Sequence, residues 1–347
     1  MAGTAAERAF DPVRVAIAAG RIPGAAFGVI TQGGDRAVCW DGHAALQPAP
    51  EPLDRATWFD LASLTKVMVT TPEILRLVEQ GAVALDDPLA RHLPDLGADD
   101  PAAPVRTVTL RRLLTHHAGL PALEIIHRWG GDSDALKAQV LRHDWPLGAP
   151  VYSDIGFILL GLAIERKRGV ALRDLPVGGR AGGLTFSPDP ATTAATEDCP
   201  WRGRIVRGEV HDENAFALGG AAGHAGLFGT IDGVLDFARD LMAGRLLGAS
   251  ALAEMRRRQT ATRALGWQCR HTVSDMDEPS WVGGRLCSPD TIGHTGFTGT
   301  GLWLDFGRGI AWALLTNRVH PSRHAETGIQ DLRRTVGDIV AAELPVA

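Results

Sequence analysis

The chain has 347 residues, of which 45% are hydrophobic and 22% charged, and its net charge is -5. This is the balance of a soluble globular protein, long enough for one large domain or two. No Lys/Arg block is long enough to suggest a nucleic acid or a membrane surface as partner.

The opening Met1-Ala2-Gly3-Thr4-Ala5-Ala6-Glu7-Arg8 lacks the apolar core of a signal peptide, so a cytoplasmic protein is expected. Val13 to Ala19 reads as a short helix ending near Gly20. Gly24 to Ile30 reads as a buried strand, Gly33-Gly34-Asp35 as a turn and Arg36 to Trp40 as a second strand, together a hairpin. From Ser63 to about Gly81 the pattern is helical, with Val67, Ile74, Leu75 and Val78 at helical spacing. Pro72 must kink that helix or sit near a first turn.

The middle of the chain, to about residue 175, is mostly helix and loop. Thr109 suits the cap of a helix reaching Leu114, and 153–168 forms another helix begun by Ser153 or Asp154. Its apolar stretch, Phe157 to Ile164, is too short to span a bilayer. Residues 176–210 are rich in Gly, Pro and Thr and read as a long irregular segment, either a lid or a surface loop. Gly219-Gly220, Gly223 and Gly226 mark tight backbone before a helix from Ile231 to Ala243. Gly301 to Phe306 and Ile310 to Thr316 are apolar runs split by Gly307-Arg308-Gly309, a hairpin signal. A last helix covers about Ile329 to Glu343.

Strands at both ends with helices between predict an α+β fold. One antiparallel sheet would be built from 1–62 and 211–347 and flanked by helices, with a mostly helical insert over 63–210. The whole reads as one continuous catalytic domain, with its cleft between the two parts.

Arginine outnumbers lysine 32 to 3, and there is one tyrosine. Arg cannot lose its proton, whereas a buried Lys can, so a lysine in this chain is informative. Lys66 stands three residues after Ser63. With nine serines and three lysines, that spacing arises by chance only about 0.1 times in such a chain. If Ser63 opens a helix, Lys66 lies on the same face one turn on. Its amine could then take the serine proton or hold the hydroxyl hydrogen-bonded, provided burial or neighbouring charge lowers its pKa. The backbone N–H of Ser63, at a helix N-terminus, could form half of an oxyanion hole.

Tyr152, just before a helix in Tyr152-Ser153-Asp154, supplies a second proton-transfer group, because a nearby ammonium favours the phenolate. The third element is Gly293-His294-Thr295-Gly296-Phe297-Thr298-Gly299-Thr300-Gly301. Its glycines let a substrate backbone approach a strand edge. The N–H of Phe297 would complete the oxyanion hole, and Thr295 could hydrogen-bond a substrate carboxylate or Tyr152.

These segments, in this order, resemble the serine β-lactamase and penicillin-binding-protein superfamily, and within it the class C-like, β-lactamase-related serine hydrolases. Leu113-Leu114-Thr115-His116-His117-Ala118-Gly119-Leu120, Gly208 to Ala215 and Gly219 to Phe228 share the resemblance, which covers nearly the whole chain. It implies a β-lactamase/transpeptidase-like fold and an acyl-enzyme on Ser63. Lys66 and Tyr152 would be the proton-transfer pair, and Thr295-Gly296 would line the acyl site. Asp154 stands where the family's β-lactamases carry Asn, and His294 where they carry Lys. Both changes work against a carboxylate-bearing β-lactam, and Asp154 could instead bind a substrate ammonium or orient Lys66.

The expected activity is therefore hydrolysis of a small-molecule ester or small amide through an acyl-enzyme. The alternatives are a D-amino-acid peptidase or D-Ala carboxypeptidase, a weak β-lactamase, an acyltransferase, and a non-catalytic penicillin-binding-like scaffold. No cofactor and no metal is expected, and oligomeric state stays open. His211, Asp212 and His224 lack a standard zinc spacing. Asp212 and Asn214 read as hydrogen-bonding irregular backbone, and His116-His117 as loop or cap residues near the cleft. The scattered Cys39, Cys199, Cys269 and Cys287 read as small buried hydrophobes, and Trp201 and Trp303 as core residues, with pocket lining as the alternative.

Overall fold

The computed structural model describes residues 2–177, 182–270 and 281–344. Helix α1 (Ala2–Ala18) is followed by β1 (Gly24–Thr31), β2 (Arg36–Ala45), β3 (Glu51–Pro52) and β4 (Phe59–Asp60). The middle of the chain holds α2 (Thr71–Glu79), α3 (Leu110–Leu114), α4 (Ser133–Arg142) and α5 (Asp154–Arg168), then β5 (Leu184–Thr185), β6 (Asp198–Cys199) and β7 (Arg204–Ile205). Next come α6 (Glu213–Ala217), β8 (Phe228–Gly229), α7 (Ile231–Met242) and α8 (Ala249–Arg256). The chain returns to the sheet through β9 (Gln268–Cys269), β10 (Ile292–Thr295), β11 (Gly301–Asp305) and β12 (Ile310–Thr316), and α9 (Ile329–Glu343) follows.

Among the described residues the main sheet runs β3-β2-β1-β12-β11-β10-β9. Neighbouring strands pair antiparallel throughout. Strand pleating sends alternate residues to opposite faces. Phe27, Val29, Trp312 and Leu314 face a core shared with Phe10 and Val13 of α1 and Leu332 and Val336 of α9. Ala26, Ile30, Ala313 and Leu315 face the other core, shared with α2, α5 and α7. Both faces are covered, which is why β1 and β12 read as unbroken apolar runs. Each fully buried Phe or Leu here contributes about 1.5–3 kcal/mol relative to exposure.

Three elements differ from the sequence-based expectation. Helix α1 begins at Ala2 rather than Val13 and runs through Pro12. Pro12 forfeits one ladder hydrogen bond, but the buried stripe Ala2, Ala5, Ala6, Ala9, Phe10, Val13, Ala16 outweighs that loss. The run from Ser63 to Gly81 is not one continuous α-helix. Lys66–Thr70 form a π-helical turn in which Thr71 N–H bonds back to Lys66 O, and α2 starts with Pro72 in its first turn. Pro72 has no N–H for an α ladder, and the widened turn absorbs the break. Within 176–210, β6 and β7 form a hairpin and β5 joins β4 and β8 in a small sheet. Residues 178–181 of that segment lie outside the described residues.

The caps follow side-chain chemistry. Thr109 accepts from Arg112 N–H at 3.2 Å, and Ser153 accepts from Gly156 N–H at 3.2 Å. The four cysteines are free and buried. Among the described residues, no helix is long and apolar enough to cross a membrane.

Candidate active site

Ser63 sits in the turn that leaves β4. Its neighbour Ala62 has φ 48°, a left-handed backbone that costs a non-glycine residue of order 1–3 kcal/mol. The surroundings hold it there. Asp60 is buried; one carboxylate oxygen accepts Ala62 N–H at 2.8 Å and the other accepts His211 N–H at 2.6 Å. Thr65 Oγ1 donates to Ala62 O at 2.7 Å, Thr298 Oγ1 to Asp60 O at 2.7 Å and Thr300 Oγ1 to Leu61 O at 3.0 Å. The last two residues follow β10, so the end of that strand is tied directly to the turn carrying Ser63. Gly296 permits the contact, since a Cβ there would lie 2.5 Å from Leu61 O.

Lys66 is fully buried. Its Nζ donates to Ser63 Oγ at 2.8 Å and to His224 O at 3.2 Å, and it pairs with Asp154 Oδ1 at 2.8 Å. Burial alone would favour a neutral amine. The charges and hydrogen bonds of Asp154 and Tyr152 outweigh it and hold the pKa above its ordinary value. This corrects the expectation of a lowered lysine pKa: the resting group is an ammonium. Of the two roles open to Asp154, the geometry gives it the pairing with Lys66. Its place at the first position of α5, behind the Ser153 cap, fixes that carboxylate.

Tyr152 lies beside this pair, with Lys66 Nζ 5.0 Å and the Arg263 guanidinium 5.5 Å from its ring centroid. His116 packs against the same ring, centroids 4.3 Å apart. The backbone of His116 is left-handed, φ 59°. Its Nδ1 accepts Ser153 N–H at 3.1 Å, which places its proton on Nε2. Burial, with Arg263 and Lys66 nearby, pushes His116 well below its ordinary value. His116 thus fixes the backbone and ring around Tyr152, a role its sequence position did not reveal.

His294, Thr295, Gly296 and Phe297 stand at the end of β10 on the same cleft as Ser63, Tyr152 and Asp154. The cleft has a volume of about 540 Å³. His294 is buried, and burial, then Lys66 and Arg263, push it well below its ordinary value, so it is neutral. Its Nδ1 lies 2.9 Å from Thr295 O and must donate there, leaving a lone pair on Nε2. Phe297 is half-exposed at the lip.

The glycine-rich 219–226 stretch is the tight backbone its composition predicted. His224 Nε2 lies 2.9 Å from Asp212 Oδ1, and this pairing holds the loop whose carbonyl receives Lys66 Nζ. His211 pairs with Glu197 at 3.3 Å, so each of the three residues weighed as metal ligands has a side-chain partner. Asp212 accepts Ala215 N–H at 2.8 Å, and Asn214 binds Glu124 O and His127 N–H, as irregular backbone requires. Trp303 is buried and stacks on Trp312 at 5.9 Å. Trp201 is not core: it is 42% exposed beside the β6–β7 turn, its ring 4.8 Å from His127 and 6.0 Å from Phe216.

A putative D-alanyl-D-alanine carboxypeptidase of Escherichia coli K12 is 28% identical, over 89% of this chain and 78% of its own. An N-acetylmuramyl-L-alanine amidase of Bacillus subtilis strain 168 is 30% identical, over 78% and 70% respectively. The crystal structure of a class C β-lactamase from Rhodobacter sphaeroides superposes with a TM-score of 0.72 over 99% of this chain and 100% of that one. At 21% identity it establishes the shared β-lactamase/transpeptidase-like fold. The Beta-lactamase family model matches residues 10–335. That span takes in every strand of the sheet and every wall of the cleft, and the chain belongs to the beta-lactamase family, within the serine β-lactamase and penicillin-binding-protein superfamily.

Proposed function

We propose that the protein is a serine hydrolase that opens an ester or small amide through an acyl-enzyme on Ser63. The supporting observation is the buried Lys66 ammonium, 2.8 Å from both Ser63 Oγ and Asp154 Oδ1. In the reacting form Tyr152 is the phenolate. Ser63 Oγ attacks the carbonyl carbon and its proton passes to Tyr152 Oη. The backbone N–H groups of Ser63 and Phe297 receive the developing oxyanion. Tyr152 then returns the proton to the leaving oxygen or nitrogen as its bond to carbon breaks. Water repeats the sequence: it gives a proton to Tyr152 and attacks the acyl carbon, and Ser63 leaves and recovers the proton. Lys66 stays charged throughout and holds both oxygens.

Side-by-side assay of wild type and Ser63→Ala on p-nitrophenyl butyrate tests this, with intact-mass detection of the acyl adduct. A loss of about 10³-fold or more is expected. Equal activity in the two proteins would remove Ser63 from the chemistry. Asp154→Asn should separate the two partners of Lys66. Without the carboxylate, burial pulls the Lys66 pKa down, so the alkaline limb of the pH–rate profile moves to lower pH. An unmoved limb would mean that Asp154 does not set the charge on Lys66.

A second reading, hydrolysis of a small D-amino-acid peptide, is favoured by the name of the E. coli relative. Under that reading, the substrate presents a free carboxylate near the scissile bond.

A further inference from the structure

Tyr152 is the base of the mechanism above, and the charges around its ring govern whether the phenolate forms. The groups that face it come from separate segments. Lys66 Nζ, on the π-helical turn, lies 5.0 Å from the ring centroid, but Asp154 of α5 stands 2.8 Å from that ammonium and sets a negative charge against it. His116, after α3, and His294, on β10, have ring centroids 4.3 and 6.0 Å from that of Tyr152. Both histidines are pushed well below their ordinary value, chiefly by burial, so neither carries charge at neutral pH. The remaining group is Arg263, whose guanidinium lies 5.5 Å from the same centroid. A guanidinium does not give up its proton in a protein.

Arg263 is 8% exposed and lines the cleft with Ser63 and Tyr152. It belongs to the loop between α8 and β9, and that loop is tethered on both sides of it. Arg263 O accepts Gln259 N–H at 2.8 Å and Thr260 N–H at 3.1 Å, and Arg263 N–H donates to Thr260 Oγ1 at 3.1 Å. Gly266 N–H donates to Leu114 O at 2.9 Å, and a Cβ at Gly266 would lie 2.1 Å from Thr71 Oγ1, so the loop rests directly on the first turn of α2. An arginine buried on such a loop is a fixed charge, unlike one on a solvated surface. Its field reaches the histidines as well: after burial, Arg263 and Lys66 are the charges that most disfavour a proton on His116 and His294.

We propose that Arg263 is a positioning residue for proton transfer: its fixed charge, held against the Tyr152 ring, stabilises the phenolate that takes the Ser63 proton. Asp154 offsets the charge of Lys66, and the neutral His294 adds none from β10. Arg263 makes up the difference from the loop before β9. Forming the phenolate releases one proton to solvent and needs no co-reactant. What the phenolate does rests on the hydrolase reading; the charge that stabilises it does not, and the test keeps the two apart.

Tyr152 is the only tyrosine of the chain, so the ultraviolet absorption of tyrosinate reports this residue alone, with Tyr152→Phe as the blank. In Arg263→Gln the half-point of that titration is expected about one pH unit or more above that of the wild type. Arg263→Lys keeps a cation and should recover most of the difference. Arg263→Met keeps the apolar stem and takes the place of Arg263→Gln should circular dichroism show that variant unfolded. The acid limb of kcat/KM on p-nitrophenyl butyrate should move up with the half-point, so that activity below the limb falls about ten-fold and returns at higher pH. A purely structural role would lower kcat/KM evenly at every pH. An unmoved half-point in the folded variant, or an even loss with an unmoved limb, overturns the assignment. A shifted half-point without ester turnover by the wild type keeps Arg263 and removes the hydrolase; turnover with an unmoved half-point does the reverse.

Discussion

Lys66→Met is expected to abolish acyl-enzyme formation, by about 10³-fold or more, and to cost about 3–5 kcal/mol of folding stability. Methionine fills the volume of the lysine stem, so the loss is electrostatic rather than a cavity. The ammonium is the donor that holds Ser63 Oγ, and its removal leaves Asp154 without its 2.8 Å partner. An uncompensated carboxylate in a low-dielectric pocket is the costly outcome, although the Asp154 side chain is 21% exposed and the lower end of the range applies. The double variant Lys66→Met/Asp154→Asn removes both charges. It should regain most of the stability and none of the acylation, as urea denaturation and intact mass would show. A double variant no more stable than the single would mean that the pair is not the source of the loss. The sign with pH follows from linkage. Lys66 sits above its unfolded value of 10.5, so its contribution is complete below that pH and fades as pH rises through the folded value. The stability curves of wild type and Lys66→Met should therefore converge at strongly alkaline pH.

The parts of this site that could be read from the sequence are those carried by rare residues at short spacing. Three lysines and one tyrosine in 347 residues make Lys66 and Tyr152 conspicuous, and Ser63 is fixed by being three residues from Lys66. The sheet was legible for a similar reason: β1 and β12 are buried on both faces, so their runs are apolar throughout. What stayed hidden depends on contacts between distant segments. The partner of Lys66 is Asp154, and only the packing of α5 against the π-helical turn puts them together. Whether the Lys66 pKa falls or rises turns on how burial is set against Asp154 and Tyr152, which the motif alone does not show. Asp60 looks like a polar residue in a short strand, but its two oxygens hold the strained Ala62 and the backbone of His211. Arg263 is one arginine among 32 until the folded chain sets it against the Tyr152 ring.

Gly223→Ala, one added methyl group, is expected to damage the protein at two levels. A Cβ at residue 223 would lie 1.9 Å from Phe157 O and 2.8 Å from Gly161 N, both backbone atoms of α5. No side-chain rotation relieves such a contact, so helix and loop must part. Overpacking commonly costs 1–3 kcal/mol; a forced backbone shift puts this variant at about 3 kcal/mol or more, and a fall in Tm of about 5 °C or more should follow. The chemical consequence is separate. Gly223 O accepts Thr70 Oγ1 at 2.6 Å, and the next carbonyl, His224 O, accepts Lys66 Nζ at 3.2 Å. Moving the loop away from α5 withdraws one acceptor from the ammonium that holds Ser63, and disturbs the π-helical turn that carries Lys66. The folded fraction should therefore lose kcat/KM beyond what its stability explains. Gly161→Ala points its methyl at the same gap, 2.7 Å from Gly223 N, and should reproduce the effect from the helix side. If both variants kept wild-type Tm and turnover, α5 and the loop could separate freely, and the tight glycine contact would not be what sets the position of the His224 carbonyl.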